Sequence, residues 1–177
     1  MQPPEVQDDV AAAVAAAGVG VVTLPQTNLY LQGRDHPTAK PRGMTAIAAL
    51  RRAGATLAGG GDNMQDPFNP LGCGDPLQIT QLLVAAGHLA VGDAYGLVSD
   101  AARAVMGLEP VRLAPGSPAD LLAVRGSSLR EAVATATEER VVIRAGRVVA
   151  RTRVERESAV PAFRSPELVT QQGDRHA

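Results

Sequence analysis

The sequence predicts an α/β protein built from strand–helix units that suit a parallel sheet, followed by a short β-rich segment. Three observations carry that prediction. Apolar runs with helical spacing alternate twice with short runs of strand character, and each strand run ends at a loop rich in Gly, Pro or polar residues. The character changes after Gly116, where strand and hairpin patterns replace the alternation. With 45% hydrophobic residues, 177 residues suffice for one sizeable core, hence one domain or one domain with an appendage.

Val6, Val10, Ala13, Val14 and Ala17 lie at helical spacing, so a helix is expected from Glu5 to Ala17, with acids at its start and Gly18 as its stop. Gly20 to Leu24 reads as a buried strand ended by Pro25, and Gln26 to Arg42 as a polar loop. The glycines at 18 and 20 close a helix and precede a strand, the reverse of a dinucleotide-binding fingerprint. Met44, Ile47, Ala48 and Leu50 form a short helix stopped by Gly54, and Ala55 to Gly61 is the next strand.

That strand has a tip of three glycines, and the next functional group is the carboxylate of Asp62. In parallel α/β folds chemistry sits at the carboxyl ends of strands, so an acid there is placed to bind a metal or move a proton, although it also suits a loop cap. Beyond the loop, Asp75-Pro76 is an N-cap with proline at the first helical position, and a helix is expected from Leu77 to Ala90 with His88 near its end. Ser99-Asp100 caps a further helix, Ala101 to Met106, stopped by Gly107. Ala119 to Val124 is a strand, and Ser128-x-x-Glu131 a capping box. Val141 to Arg144 and Arg147 to Ala150 flank Ala145-Gly146 as a tight hairpin. The polar, aperiodic residues 155–177 are expected to form a disordered tail.

Composition narrows the function classes. A net charge of −1 gives no electrostatic reason to expect nucleic acid or an anionic membrane as partner. One cysteine, Cys73, rules out an intrachain disulfide framework and fits a reducing compartment. The apolar run from Val10 to Leu24 is too short and alanine-rich to span a bilayer, and no basic region precedes it, so the cytoplasm is the expected location.

Two motif blocks carry a more specific message: Val21-Val22-x-x-Pro25 with Asn28-x-x-Leu31-Gln32-Gly33-Arg34, then Gly60-x-Asp62 with Asp66-Pro67-Phe68-Asn69-Pro70-Leu71-Gly72 behind it. In that order they resemble the cytosine deaminase branch of the amidohydrolase superfamily, metal-dependent hydrolases on a (β/α)8 TIM barrel. A complete barrel takes about 250 residues. The resemblance therefore implies the C-terminal part of the barrel, its last strand–helix units, over residues 1–110. Residues 111–154 would be part of a small β-sandwich, since Gly116-Ser-Pro-Ala-Asp-Leu-Leu122 and Val142-x-x-x-Gly146-Arg-Val-Val-Ala150 look like the family's closing segment.

What the resemblance implies chemically is hydrolysis of a carbon–nitrogen bond in an aminopyrimidine or cyclic amidine, with release of ammonia and with zinc or iron as cofactor. The family's metal ligands are a His-x-His pair, two later histidines and an aspartate on the eighth strand, and only the aspartate has a counterpart, Asp62. His36, His88, His176 and Cys73 show no paired spacing, so the chain is not expected to hold the metal alone. The residue before the aspartate, often histidine in the family, is Gly61. Phe68 would stack on a planar heterocycle or anchor its loop, and Asn28 and Gln32 would offer amide hydrogen bonds to substrate or stabilise a turn.

The expected partners are a small nitrogen heterocycle and either a chain that supplies the N-terminal barrel half or a second copy. The alternative is a half-barrel that serves as a non-catalytic interaction module or survives as a relic.

Overall fold

The computed structural model describes residues 2–155 and 157. The tail expected at 155–177 and His176 thus lie almost wholly outside the described residues. Helix α1 (Pro4–Ala16) starts with proline at its first turn and Glu5 beside its N-terminus, and it buries Ala11. Strand β1 (Val21–Thr23) leads into helix α2 (Pro25–Leu31), and helix α3 (Ile47–Arg52) leads into strand β2 (Leu57–Gly59). The two strands pair in parallel with Val21 opposite Leu57 and Thr23 opposite Gly59, as the alternation predicts. The Gly60 N–H donates to the Thr23 carbonyl at 3.0 Å, so pairing continues just past the strand ends.

Helices α4 (Pro76–Ala85), α5 (Val91–Val98) and α6 (Asp100–Val105) follow. Ile79 and Leu83 of α4 and Ala94 of α5 join Ala11, Ile47, Ala49, Leu50 and Leu57 in one buried cluster. Gly59 makes this close approach possible: a Cβ there would meet Leu83 Cδ1 at 2.9 Å and Val98 Cγ1 at 3.1 Å. With almost no aromatic residues, the core is assembled from small aliphatic side chains, and close backbone approach replaces bulk.

Strand β3 (Leu121–Val124), helix α7 (Leu129–Thr135), and strands β4 (Arg140–Arg144) and β5 (Arg147–Arg151) complete the described chain. The three strands form an antiparallel sheet in the order β3-β4-β5. Ala145 (φ 47°) and Gly146 (φ 75°) both take the left-handed backbone that a two-residue hairpin requires. Asp120 Oδ1 accepts the Ala145 N–H at 2.8 Å. A register shift between Val142 and Ile143 leaves Val149 as a bulge.

No residue of this sheet is buried, while α7 buries Ala132 and Val133. The capping box is half as expected: Ser128 Oγ accepts the Glu131 N–H at 3.1 Å, but the Glu131 carboxylate accepts from the Ser127 N–H instead of closing on Ser128.

The sheet segment is tied to the α/β body by an ion pair. Arg140 Nη1 and Nη2 donate to Asp75 Oδ1 and Oδ2 at 2.9 and 2.8 Å, and the same carboxylate caps α4 through the Leu77 N–H. Desolvation pushes the Asp75 carboxyl up, but Arg140 and the Leu77 N–H outweigh it and hold it below its ordinary value. Gln81 Nε2 adds a second tie, to the Val133 carbonyl at 2.6 Å.

Three expectations are corrected. The stretch from Gln26 to Arg42 is not all loop, because Pro25 with its preset φ opens α2 through Leu31. The helix expected to reach Ala90 stops at Ala85; His88 adopts φ 57°, and the Leu89 N–H turns back to the Leu83 carbonyl at 3.3 Å before α5 begins. Ser99 does not cap α6 with its side chain, since its hydroxyl donates to the Tyr95 carbonyl at 2.8 Å.

Candidate active site

Because β1 and β2 run the same way, Thr23 and Gly59 end on one rim, and the segments that follow them, α2 and the loop from Gly60 to Gly74, leave from it together. The rim is polar and closely packed: Thr23 is fully buried and its Oγ1 donates to Thr45 Oγ1 at 2.9 Å. Thr27 on α2 is buried too, and its Oγ1 has no hydrogen-bond partner among the described residues.

Asp62 stands three residues beyond β2, exposed, with φ 57°. A non-glycine residue in the left-handed region carries strain of about 1–3 kcal/mol and persists only where its surroundings hold it. Gln65, with φ 51°, is held in the same way. The holding groups follow directly. Asp66 Oδ1 accepts the N–H groups of Phe68 and Asn69 at 2.9 and 3.0 Å, while Asp66 Oδ2 accepts Asn63 Nδ2 at 2.6 Å. Asn69, only 1% exposed, donates Nδ2 to the Asn63 carbonyl at 3.0 Å.

Gly72 closes the loop, for a Cβ there would overlap the Asn63 carbonyl oxygen and crowd Asn69 Nδ2. Partial desolvation pushes the Asp66 carboxyl up, but the three hydrogen bonds win and hold it below the usual carboxylate value. Gln26 Nε2 donates to the Leu71 carbonyl at 3.1 Å, fixing the loop to α2.

The sequence-predicted residues fall into two groups. Asp62 and Phe68 share this loop, and Phe68 is 58% exposed although its backbone is fastened. Asn28 is half-buried on α2, and its side chain makes no hydrogen bond to the described residues. Gln32 follows the last turn of α2, exposed, with its side-chain carbons against Gly43.

Sequence inspection placed Asn63, Asn69 and Gly72 in the loop but missed their part in fastening it. The spacing Asn63-x-x-Asp66-x-x-Asn69, with amide side chains either side of a carboxylate and a glycine after them, was the available sign.

No three His, Cys, Asp or Glu side chains converge among the described residues. A catalytic metal centre needs about three protein donors, and the Asp62 carboxylate would supply one of those ligands. Cys73 Sγ donates to Gln78 Oε1 at 3.1 Å, and His88 lies against Arg42. Surface grooves of about 290–450 Å³ lie elsewhere among the described residues, five of them with walls that do not include Asp62, Phe68, Asn28 or Gln32.

Parallel strands that end on a shared rim thus place an acid, Asp62, just beyond one of them and a fastened Pro-Phe loop behind it. The chain belongs to the amidohydrolase family, whose model matches residues 1–150. It is 36% identical over 144 residues to a pterin deaminase from Rhizobium rhizogenes, a match that covers 78% of this chain and 33% of the relative.

Among solved structures, 5-methylcytosine deaminase from Klebsiella pneumoniae liganded with 5-fluorocytosine superposes with a TM-score of 0.73 and 29% identity, over 88% of this chain and 39% of that one. N-isopropylammelide isopropylaminohydrolase from Burkholderia multivorans superposes with a TM-score of 0.68 and 29% identity, over 85% and 36% of the respective chains. The chain thus spans about a third of the length of the curated relative it matches. No helix among the described residues is long and apolar enough to cross a membrane.

Proposed function

We propose that this chain provides the closing strand–helix units of a hydrolytic deaminase that acts on a planar nitrogen heterocycle of the aminopyrimidine or pterin type. The observation that carries the proposal is Asp62, an exposed carboxylate on a fastened loop just past the carboxyl end of β2. Such an acid accepts a proton from the water that attacks the ring carbon bearing the amino group. It returns the proton to the departing nitrogen as the C–N bond breaks, and ammonia leaves. The relatives support this reading, since a pterin deaminase and a 5-methylcytosine deaminase share the segment that holds Asp62.

The reading calls for a divalent metal, zinc or iron, which lowers the pKa of water and so supplies the nucleophile. Asp62 would be one of its donors, and the others would come from outside the described residues. On this reading residues 1–110 complete a barrel and residues 111–154 part of a sandwich, with activity dependent on the remaining barrel strands. Phe68 would stack on the heterocycle, and Asn28 and Gln32 would donate or accept at its edge.

A second reading, a non-catalytic interaction module, draws on the three-stranded sheet in which no residue is buried. Substitution separates the two: in the assembled enzyme Asp62→Asn abolishes ammonia release while the circular dichroism spectrum is unchanged. Undiminished turnover would remove Asp62 from the chemistry.

A further inference from the structure

The loop between Asp62 and Gly72 joins two features that rarely coincide: a backbone bound at many points and apolar side chains left in solvent. Met64, Phe68 and Leu71 are 62%, 58% and 78% exposed. Their backbone, by contrast, is closed by the Asn63–Asp66–Asn69 hydrogen bonds, by the Gly72 N–H donating to the Asn69 carbonyl at 3.2 Å, and by the Gln26 strap. Asp66 is the hub, because both its oxygens are used and they join residues on both sides of Pro67.

An exposed aromatic ring on a fixed backbone loses little freedom when a flat ligand covers it, so the order is set before binding. We propose that Asp66 is a positioning residue, which acts through the loop to hold the Phe68 ring, on the same loop as Asp62, ready for the face of a planar heterocycle. The nature of the ligand rests on the deaminase reading above; the lock itself does not.

Two measurements test this. In the full 177-residue chain, Asp66→Ala speeds hydrogen exchange at the Phe68 and Asn69 amides by about tenfold or more. The paired swap Asn63→Asp with Asp66→Asn, which restores a donor opposite an acceptor and leaves an oxygen for both amides, recovers much of the protection. Unchanged exchange in Asp66→Ala overturns the proposal, whatever the enzyme does.

In the assembled enzyme with cytosine or pterin as substrate, Phe68→Ala and Asp66→Ala each raise KM by about fivefold, the worth of one aromatic contact. The double variant is no worse than Phe68→Ala, because Asp66 acts through that ring. Additive effects would overturn the proposal by giving Asp66 a role of its own. Turnover absent from every variant and from the parent, with exchange altered as stated, would fall on the deaminase reading and leave the lock in place.

Discussion

Replacing Arg140 with methionine removes the guanidinium that joins the antiparallel sheet to the α/β body. The change deletes both hydrogen bonds to Asp75 and those to the carbonyls of Thr137 and Ala136 at 2.5 and 3.0 Å. The two side chains are 19% and 17% exposed, between the surface and the interior. Exposed pairs are worth about 0–1 kcal/mol, whereas removing one partner of a fully buried pair costs about 3–5 kcal/mol. An intermediate cost of about 2–3 kcal/mol is therefore expected for Arg140→Met, since water can reach part of the stranded carboxylate.

Urea unfolding followed by circular dichroism measures this cost directly, and the pH dependence identifies its origin. The folded-state Asp75 carboxyl lies below its unfolded value, so its stabilisation is fully present above about pH 4 and fades as pH falls through the folded value. The gap in unfolding midpoint between parent and variant must narrow in the same window. A midpoint unchanged at pH 7, or a gap that persists undiminished to pH 2, would refute the ion pair as a tie between the two parts.

Other outcomes follow from single contacts. Gly72→Ala forces a Cβ into the Asn63 carbonyl and should destabilise the chain by about 1–3 kcal/mol, with the loss confined in hydrogen exchange to the 62–72 loop. Leu83→Ala, at a fully buried position between β2 and its covering helices, should cost about 2–5 kcal/mol in the same urea assay.

The parts of the fold that were legible in the sequence are those written in local chemistry. Helix α1 has its periodicity and its proline, β1 and β2 their short apolar runs, and the hairpin its Ala-Gly turn. Helix α2 was not legible, because a seven-residue helix that buries only Pro25 and Thr27 shows no apolar stripe. The break between α4 and α5 was hidden by a run of apolar residues that continues through both, and a left-handed histidine ends the first helix where no proline stands.

At the site, the place of Asp62 past a glycine-tipped strand and of Phe68 in the following loop could be read directly. What fixes that loop could not, since it depends on carbonyl and amide groups that meet only after the chain has turned back on itself. The tie between Asp75 and Arg140 spans 65 residues, beyond the reach of any local pattern.

The central claim is that Asp62 belongs to a hydrolytic deaminase site that other barrel strands complete. The direct test is ammonia release from cytosine and pterin, with zinc or iron supplied, by the chain alone and by the chain mixed with the N-terminal half of a related amidohydrolase. The account predicts release only in the mixture, and none when the mixture contains Asp62→Asn. Equal release by that variant mixture, or full turnover by the chain alone, would contradict it.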